Sequence, residues 1–124
     1  MLNNLKRKIL YGFFRNMSSY DITMQELKNK QNNGAIIVDV RSSQEYSEGH
    51  ICGAINIPEY EISRDINRIL KDKEKDIILY CSSGIRSKSA YKKLKRLGYK
   101  NVFNLYGGLD AIWNIAFKKT IRGY

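Results

Sequence analysis

The chain has 124 residues, 43% hydrophobic and 27% charged, which suits one packed domain and excludes a disordered chain. Its two cysteines, Cys52 and Cys81, exclude a disulfide-dense secreted scaffold and point to reduced thiols in a cytoplasmic setting. The net charge of +10 fits either solvated lysine faces or attraction of anions, and no apolar run is long enough to span a bilayer.

Residues 1–18 read as a basic extension, residues 19–118 as the domain and residues 119–124 as a short tail. In the extension, Lys6, Arg7 and Lys8 precede a short apolar run, and Leu2, Leu5, Ile9 and Phe13 recur at helical spacing. That pattern suits a helix packing on the domain, or a basic amphipathic segment on a membrane surface. Tyr20–Ile22 is a weak edge strand. Thr23-Met24-Gln25-Glu26 has the form of a capping box, opening a helix that ends near Asn33-Gly34. Ala35–Val40 is a continuous β-branched run, expected of a strand buried on both faces. Ser42-Ser43-Gln44-Glu45 repeats the capping-box form and opens a short helix stopped by Gly49.

Ala54–Ile57 is a short strand closed by Pro58. Glu59–Lys71 reads as a helix with Ile62, Ile66, Ile69 and Leu70 inward. Lys71–Asp76 is a solvated turn. Ile77–Tyr80 is a buried strand, Ser87–Leu97 a helix with Ala90, Leu94 and Leu97 inward, and Val102–Leu105 a further strand. Gly107-Gly108 turns the chain into a last helix from Leu109 to about Phe117. Strands alternating with helices predict an α/β fold with a mainly parallel sheet.

The chemistry concentrates at Cys81-Ser82-Ser83-Gly84-Ile85-Arg86-Ser87. The cysteine stands at the carboxyl end of a buried strand, where open α/β sheets place their sites. Successive amides of the small residues after it can form an anion cradle, and the next helix adds the positive end of its dipole. A helix N-terminus and a nearby guanidinium favour thiolate over thiol, and thiolate is the nucleophile. Arg86 either pins the loop or holds an oxyanion. Taken singly, Cys81 could be a small buried hydrophobe, Gly84 an ordinary turn glycine and Arg86 a solvent-facing residue. Their placement together, before a helix with Lys88, Lys92, Lys93, Lys95 and Arg96 and in a stretch with no acid from Ile77 to Leu109, favours a site.

From Ser19 to Phe117 the chain resembles the rhodanese domain family. The motifs that carry the resemblance are Asp39-Val40-Arg41 with Glu45-Tyr46, then Gly49-His50-Ile51 and Gly53–Pro58. The Cys81–Ser87 loop follows, then Gly98-Tyr99, Val102–Leu105 and Gly107-Gly108 with Trp113. The resemblance implies a three-layer fold with a central five-stranded sheet flanked by helices, and a persulfide on Cys81. Sulfur would come from thiosulfate or a related persulfide donor and pass to a thiol or to cyanide. Ser82, Ser83, Gly84, Ile85, Arg86 and Ser87 would bind the substrate through backbone amides. Asp39, Arg41, Glu45 and His50 would support the structure, with Arg41 and Glu45 placed to pair with each other. No metal and no organic cofactor are implied. The partners implied are a small sulfur-containing anion and a sulfur-acceptor protein.

One departure is Cys52, where the family pattern has proline. It is either a neutral replacement at a turn or a resolving thiol for Cys81. A metal site from His50, Cys52 and Cys81 lacks a fourth ligand. Three rivals follow from the same residues. A phosphatase or arsenate reductase of this fold would use a longer cysteine-to-arginine loop, whereas Cys81 and Arg86 enclose four residues. A dedicated sulfur-relay or regulatory binding module would share the loop. A nucleic-acid binder would explain the basic helix, but no recognised nucleic-acid motif accompanies it. Steering of thiosulfate or an acidic acceptor protein explains that helix more economically.

Overall fold

A computed structural model describes residues 17–113; the expected N-terminal extension, the end of the last helix and the tail lie outside these residues. Five strands form one sheet in the order β1-β5-β4-β2-β3. They are β1 (Asp21–Ile22), β2 (Ile36–Asp39), β3 (Ile55–Asn56), β4 (Ile77–Tyr80) and β5 (Val102–Leu105). All four strand pairings are parallel. The helices are α1 (Met24–Asn32), α2 (Ser43–Glu48), α3 (Ile62–Ile69), α4 (Ile85–Arg96) and α5 (Gly108–Trp113).

The β pleat divides the core into two layers, because successive side chains point to opposite faces. Ile37, Ile78 and Tyr80 join Ile22, Leu27, Leu105 and Leu109 on one face. Val38, Val40, Ile77, Leu79 and Cys81 join Ile62, Ile66, Leu94 and Tyr99 on the other. β4 is buried throughout, which accounts for its aliphatic sequence.

Both capping boxes form. Thr23 Oγ1 accepts from Glu26 N at 3.2 Å while Glu26 Oε1 accepts from Thr23 N at 3.0 Å. Ser42 and Glu45 make the same exchange, at 3.2 and 3.1 Å. The α3 region departs from expectation. Glu59–Glu61 is a 3-10 turn, and the α-helix runs only from Ile62 to Ile69. Ile69 is 55% exposed rather than inward, because Leu70 leaves the helix in an extended conformation and takes the inward place. α4 starts at Ile85, two residues before the expected Ser87.

Candidate functional site

The site begins with the end of β4. The pleat sends Tyr80 to one face and Cys81 to the other. Cys81 is 1% exposed. Its Sγ accepts from the Gly84 amide at 3.0 Å and from the Ser87 amide at 3.4 Å. The thiol also lies 3.5 Å from Ser87 Oγ, which donates to the Gly84 carbonyl at 3.2 Å. Two amide N–H groups thus converge on the sulfur with their positive ends toward it, the geometry of a small anion cradle. Gly84 makes the curl possible: its φ of +106° lies in the left-handed region that a β-carbon penalises.

The other side of the loop is held by α5. The amides of Leu109 and Asp110 donate to the carbonyls of Cys81 and Ser82, each at 2.8 Å. These bonds satisfy the loop's carbonyls from behind and leave its amides for the sulfur side. Gly108 permits the approach, since a β-carbon there would meet the Ser82 and Cys81 carbonyl oxygens at 2.5 and 2.6 Å.

Arg86 is a latch. Its Nη1 and Nη2 donate to Glu45 Oε1 and Oε2 at 2.6 and 3.0 Å, a bidentate pair. Hydrogen bonding to Arg86 comes first among the causes that lower Glu45 to about 2, and the Ser42 bonds assist against partial burial. The same pair raises Arg86 above its ordinary value. Ser82 Oγ lies 3.4 Å from Glu45 Oε2, so the capping carboxylate of α2 also touches the loop's first residue.

The expected pairing of Arg41 with Glu45 is therefore corrected. Arg41 instead binds Asp39, with Nη2 donating to Oδ2 at 2.8 Å and Nε to Oδ1 at 3.1 Å, and reaches the Gly49 carbonyl at 2.6 Å. Arg41 lies just past the end of β2, and its own amide also donates to Asp39 Oδ1 at 2.9 Å, so the bend that leaves the strand folds Arg41 onto Asp39. Burial opposes the Arg41 charge, but the Asp39 contacts outweigh it and raise the guanidinium.

Two positions were not singled out by sequence. Tyr80 pairs in register with Asp39; its hydroxyl donates to Asp39 Oδ2 at 2.6 Å and accepts from the Ile51 amide at 3.0 Å. Burial, then the Asp39 charge, push the phenol well upward. Its signal was a lone aromatic hydroxyl in an aliphatic strand. Gly108 is the second; the sequence showed it as half of a paired glycine, a turn and a motif of the resemblance, but not as a neighbour of the Cys81 loop.

His50 Nδ1 lies 2.8 Å from the Tyr46 carbonyl, and its ring stacks on Tyr46 at 3.7 Å between centroids. Cys52 is exposed, its carbonyl accepts from Gln31 at 2.8 Å, and it lines a groove with Met24, Lys28 and Ile51. Ile51 belongs to the core layer opposite the one that holds Cys81. Ser83 and Ile85 are exposed on the loop. A cleft of about 210 Å³ beside the latch is lined by Arg41, Glu45, Glu48, Gly49, Leu109 and Asp110. Among the described residues no group of three or more His, Cys, Asp or Glu is placed to hold a metal ion. No helix among them is long and apolar enough to cross a membrane.

The rhodanese-like domain model matches residues 23–115. A tRNA uridine(34) hydroxylase of Buchnera aphidicola subsp. Baizongia pistaciae is 34% identical over 85% of the chain, and the chain spans 37% of that relative. Among solved structures, a rhodanese with anions from E. coli is 35% identical, with a TM-score of 0.59 over 62% of this chain and 91% of that one. A human single-domain sulfurtransferase is 25% identical, with a TM-score of 0.67 over 80% of this chain and 98% of the other. The parallel five-stranded sheet and a family match across nearly all of the described residues lead to one conclusion: the chain belongs to the rhodanese-like domain family.

Proposed function

We propose that the protein is a sulfurtransferase that carries sulfane sulfur as a persulfide on Cys81. The observation that carries this reading is the pair of amides, Gly84 and Ser87, directed at Cys81 Sγ at 3.0 and 3.4 Å. In the first half-reaction the Cys81 thiolate attacks the outer sulfur of thiosulfate. A bond forms between Cys81 Sγ and that sulfur, and the S–S bond of thiosulfate breaks. Sulfite departs with the bonding pair. In the second half-reaction an acceptor thiolate or cyanide attacks the outer sulfur, and the electron pair of the broken bond returns to Cys81. The backbone of Ser82, Ser83, Gly84, Ile85, Arg86 and Ser87 supplies the donors for the terminal sulfur anion, and Arg86 acts through the Glu45 latch.

The latch also argues against phosphate or arsenate chemistry. Both terminal nitrogens of Arg86 face Glu45, so a bidentate grip on a tetrahedral oxyanion through that edge would require breaking the pair.

The test is the intact mass of wild type and Cys81→Ala after thiosulfate treatment, repeated after cyanide. One added sulfur on wild type alone, removed by cyanide, supports the carrier role. No addition from thiosulfate or from glutathione persulfide rejects it.

A second reading comes from the tRNA uridine(34) hydroxylase name of a relative 34% identical to this chain: Cys81 would serve modification of a tRNA uridine in the cytoplasm. It predicts that cells lacking the gene lose a modified uridine, restored by wild type and not by Cys81→Ala. Unchanged tRNA in the deletion strain rejects it.

A further inference from the structure

α4 starts inside the Cys81 loop and carries that loop's exposed residue along one line of its surface. Ile85, Lys88, Lys92 and Arg96 recur at three- and four-residue steps, which place them within roughly 80° of arc over about 16 Å of helix. All four are exposed, and Ile85 is 76% exposed.

The cations of α4 divide into two groups. Lys93 is engaged by Glu59 at 2.7 Å, and Lys95 donates to the Lys100 carbonyl at 3.0 Å. Lys88, Lys92 and Arg96 make no side-chain hydrogen bond or ion pair among the described residues. The free charge thus forms a single ridge that begins at the loop holding the sulfur. Beside it, Glu59 also accepts from Ser89 Oγ at 2.6 Å. These bonds tie to α4 the turn that carries Tyr60, itself 75% exposed.

We infer that the Ile85–Lys88–Lys92–Arg96 ridge docks an acidic segment of a protein whose thiol accepts sulfur from Cys81. Charge complementarity names the partner's sign: three exposed cations with no side-chain partner call for carboxylates on the docked segment. The large apolar side chains of Ile85 and Tyr60, left in water, favour a protein surface over a nucleic acid backbone. The placement gives the docking a purpose. Cys81 is 1% exposed, so an acceptor must be held at the loop for its thiolate to reach the terminal sulfur. There a new S–S bond forms on the acceptor, the bond to Cys81 breaks, and its electron pair regenerates the Cys81 thiolate. The acceptor's proton is lost to solvent beforehand. What is handed over rests on the persulfide reading above; the docking surface itself does not.

The experiment measures fluorescence anisotropy of a labelled helical peptide bearing glutamates at i, i+4 spacing and one cysteine. Its glutamine counterpart and a single-stranded oligouridylate serve as comparisons, at about 0.01 to 1 M ionic strength, where the Debye length falls from about 30 to about 3 Å. The proteins are wild type and the triple variant Lys88→Gln/Lys92→Gln/Arg96→Gln, none of whose positions touches Cys81. Wild type is expected to bind the acidic peptide about tenfold more tightly than the glutamine peptide at low salt. The gap closes at high salt and in the triple variant. With persulfide loaded, sulfur transfer to the acidic peptide follows the same pattern, while transfer to uncharged dithiothreitol is unaffected by the triple substitution. Equal binding of the two peptides by wild type overturns the proposal. So does tighter binding of the oligouridylate than of the acidic peptide, lost in the triple variant, which would assign the ridge to RNA. Peptide binding without any loading of sulfur would sustain the surface and reject the carrier role of Cys81.

Discussion

Gly108 lies so close behind Cys81 that a β-carbon on it would meet the Cys81 carbonyl oxygen at 2.6 Å. The clash would be with backbone, which cannot swing aside as a side chain can. The chain also passes Gly108 at a φ of +63°, a region that costs a non-glycine residue about 1 kcal/mol or more. Gly108→Ala should therefore push the loop and α5 apart. The expected outcome is a loss of about 1–3 kcal/mol in stability and a larger proportional loss in the rate of sulfur loading on Cys81. Denaturant unfolding and timed mass spectrometry read the two effects. Loading at the wild-type rate would show that α5 does not shape the loop.

The Glu45–Arg86 latch makes stability depend on pH in a defined direction. Glu45 is lowered from 4.5 to about 2. A carboxyl with a depressed folded-state value contributes its stability above the unfolded value, near 4.5, and loses it as pH falls toward about 2. Glu45→Gln should lower the unfolding midpoint at neutral pH. The difference from wild type should shrink below about pH 4 and vanish near pH 2. A gap that stays constant across that range would show that the ion pair adds nothing beyond neutral hydrogen bonds.

Tyr80 predicts a buried polar loss. Its hydroxyl is the partner of both Asp39 Oδ2 and the Ile51 amide. Asp39 Oδ2 would keep Arg41, but the Ile51 amide would lose its acceptor, so Tyr80→Phe should destabilise the protein by about 1–3 kcal/mol, the cost of a buried unsatisfied donor. A midpoint shift below the error of the unfolding measurement would mean that water replaces the hydroxyl.

Cys52→Ser should leave both the sulfur load on Cys81 and its sensitivity to oxidant unchanged. Cys52 is exposed beside α1, next to a residue of the core layer that does not contain Cys81. A disulfide between the two cysteines, found by mass after mild oxidation of wild type, would restore the resolving role.

Ile66 is fully buried among Ile62, Leu79 and Leu94. Ile66→Ala should cost about 2–5 kcal/mol through lost burial and the cavity left behind, measured by denaturant unfolding. A smaller loss would indicate that the layer beneath α3 collapses into the space.

The sequence by itself determined the strands and the two capped helix starts of this protein, because their signals are local. β4 and β5 were legible to the residue from their aliphatic runs, and both capping boxes from residues three apart. The strand end, the small residues after it and the motif order singled out Cys81 and its loop as the candidate site. Tertiary structure alone decided what braces that loop, since every brace crosses a long stretch of chain. Glu45 and Arg86 are 41 residues apart, as are Asp39 and Tyr80. Local spacing suggested Arg41 for Glu45, but the bend after β2 gave Arg41 to Asp39 and left Glu45 to reach the Cys81 loop. The division of α4's cations was decided in the same way. Sequence places the lysines on one helix, but only packing against Glu59 and Lys100 determines which of them remain free. A charge's partners depend on which elements meet, and the parallel sheet brings together residues that no local pattern connects.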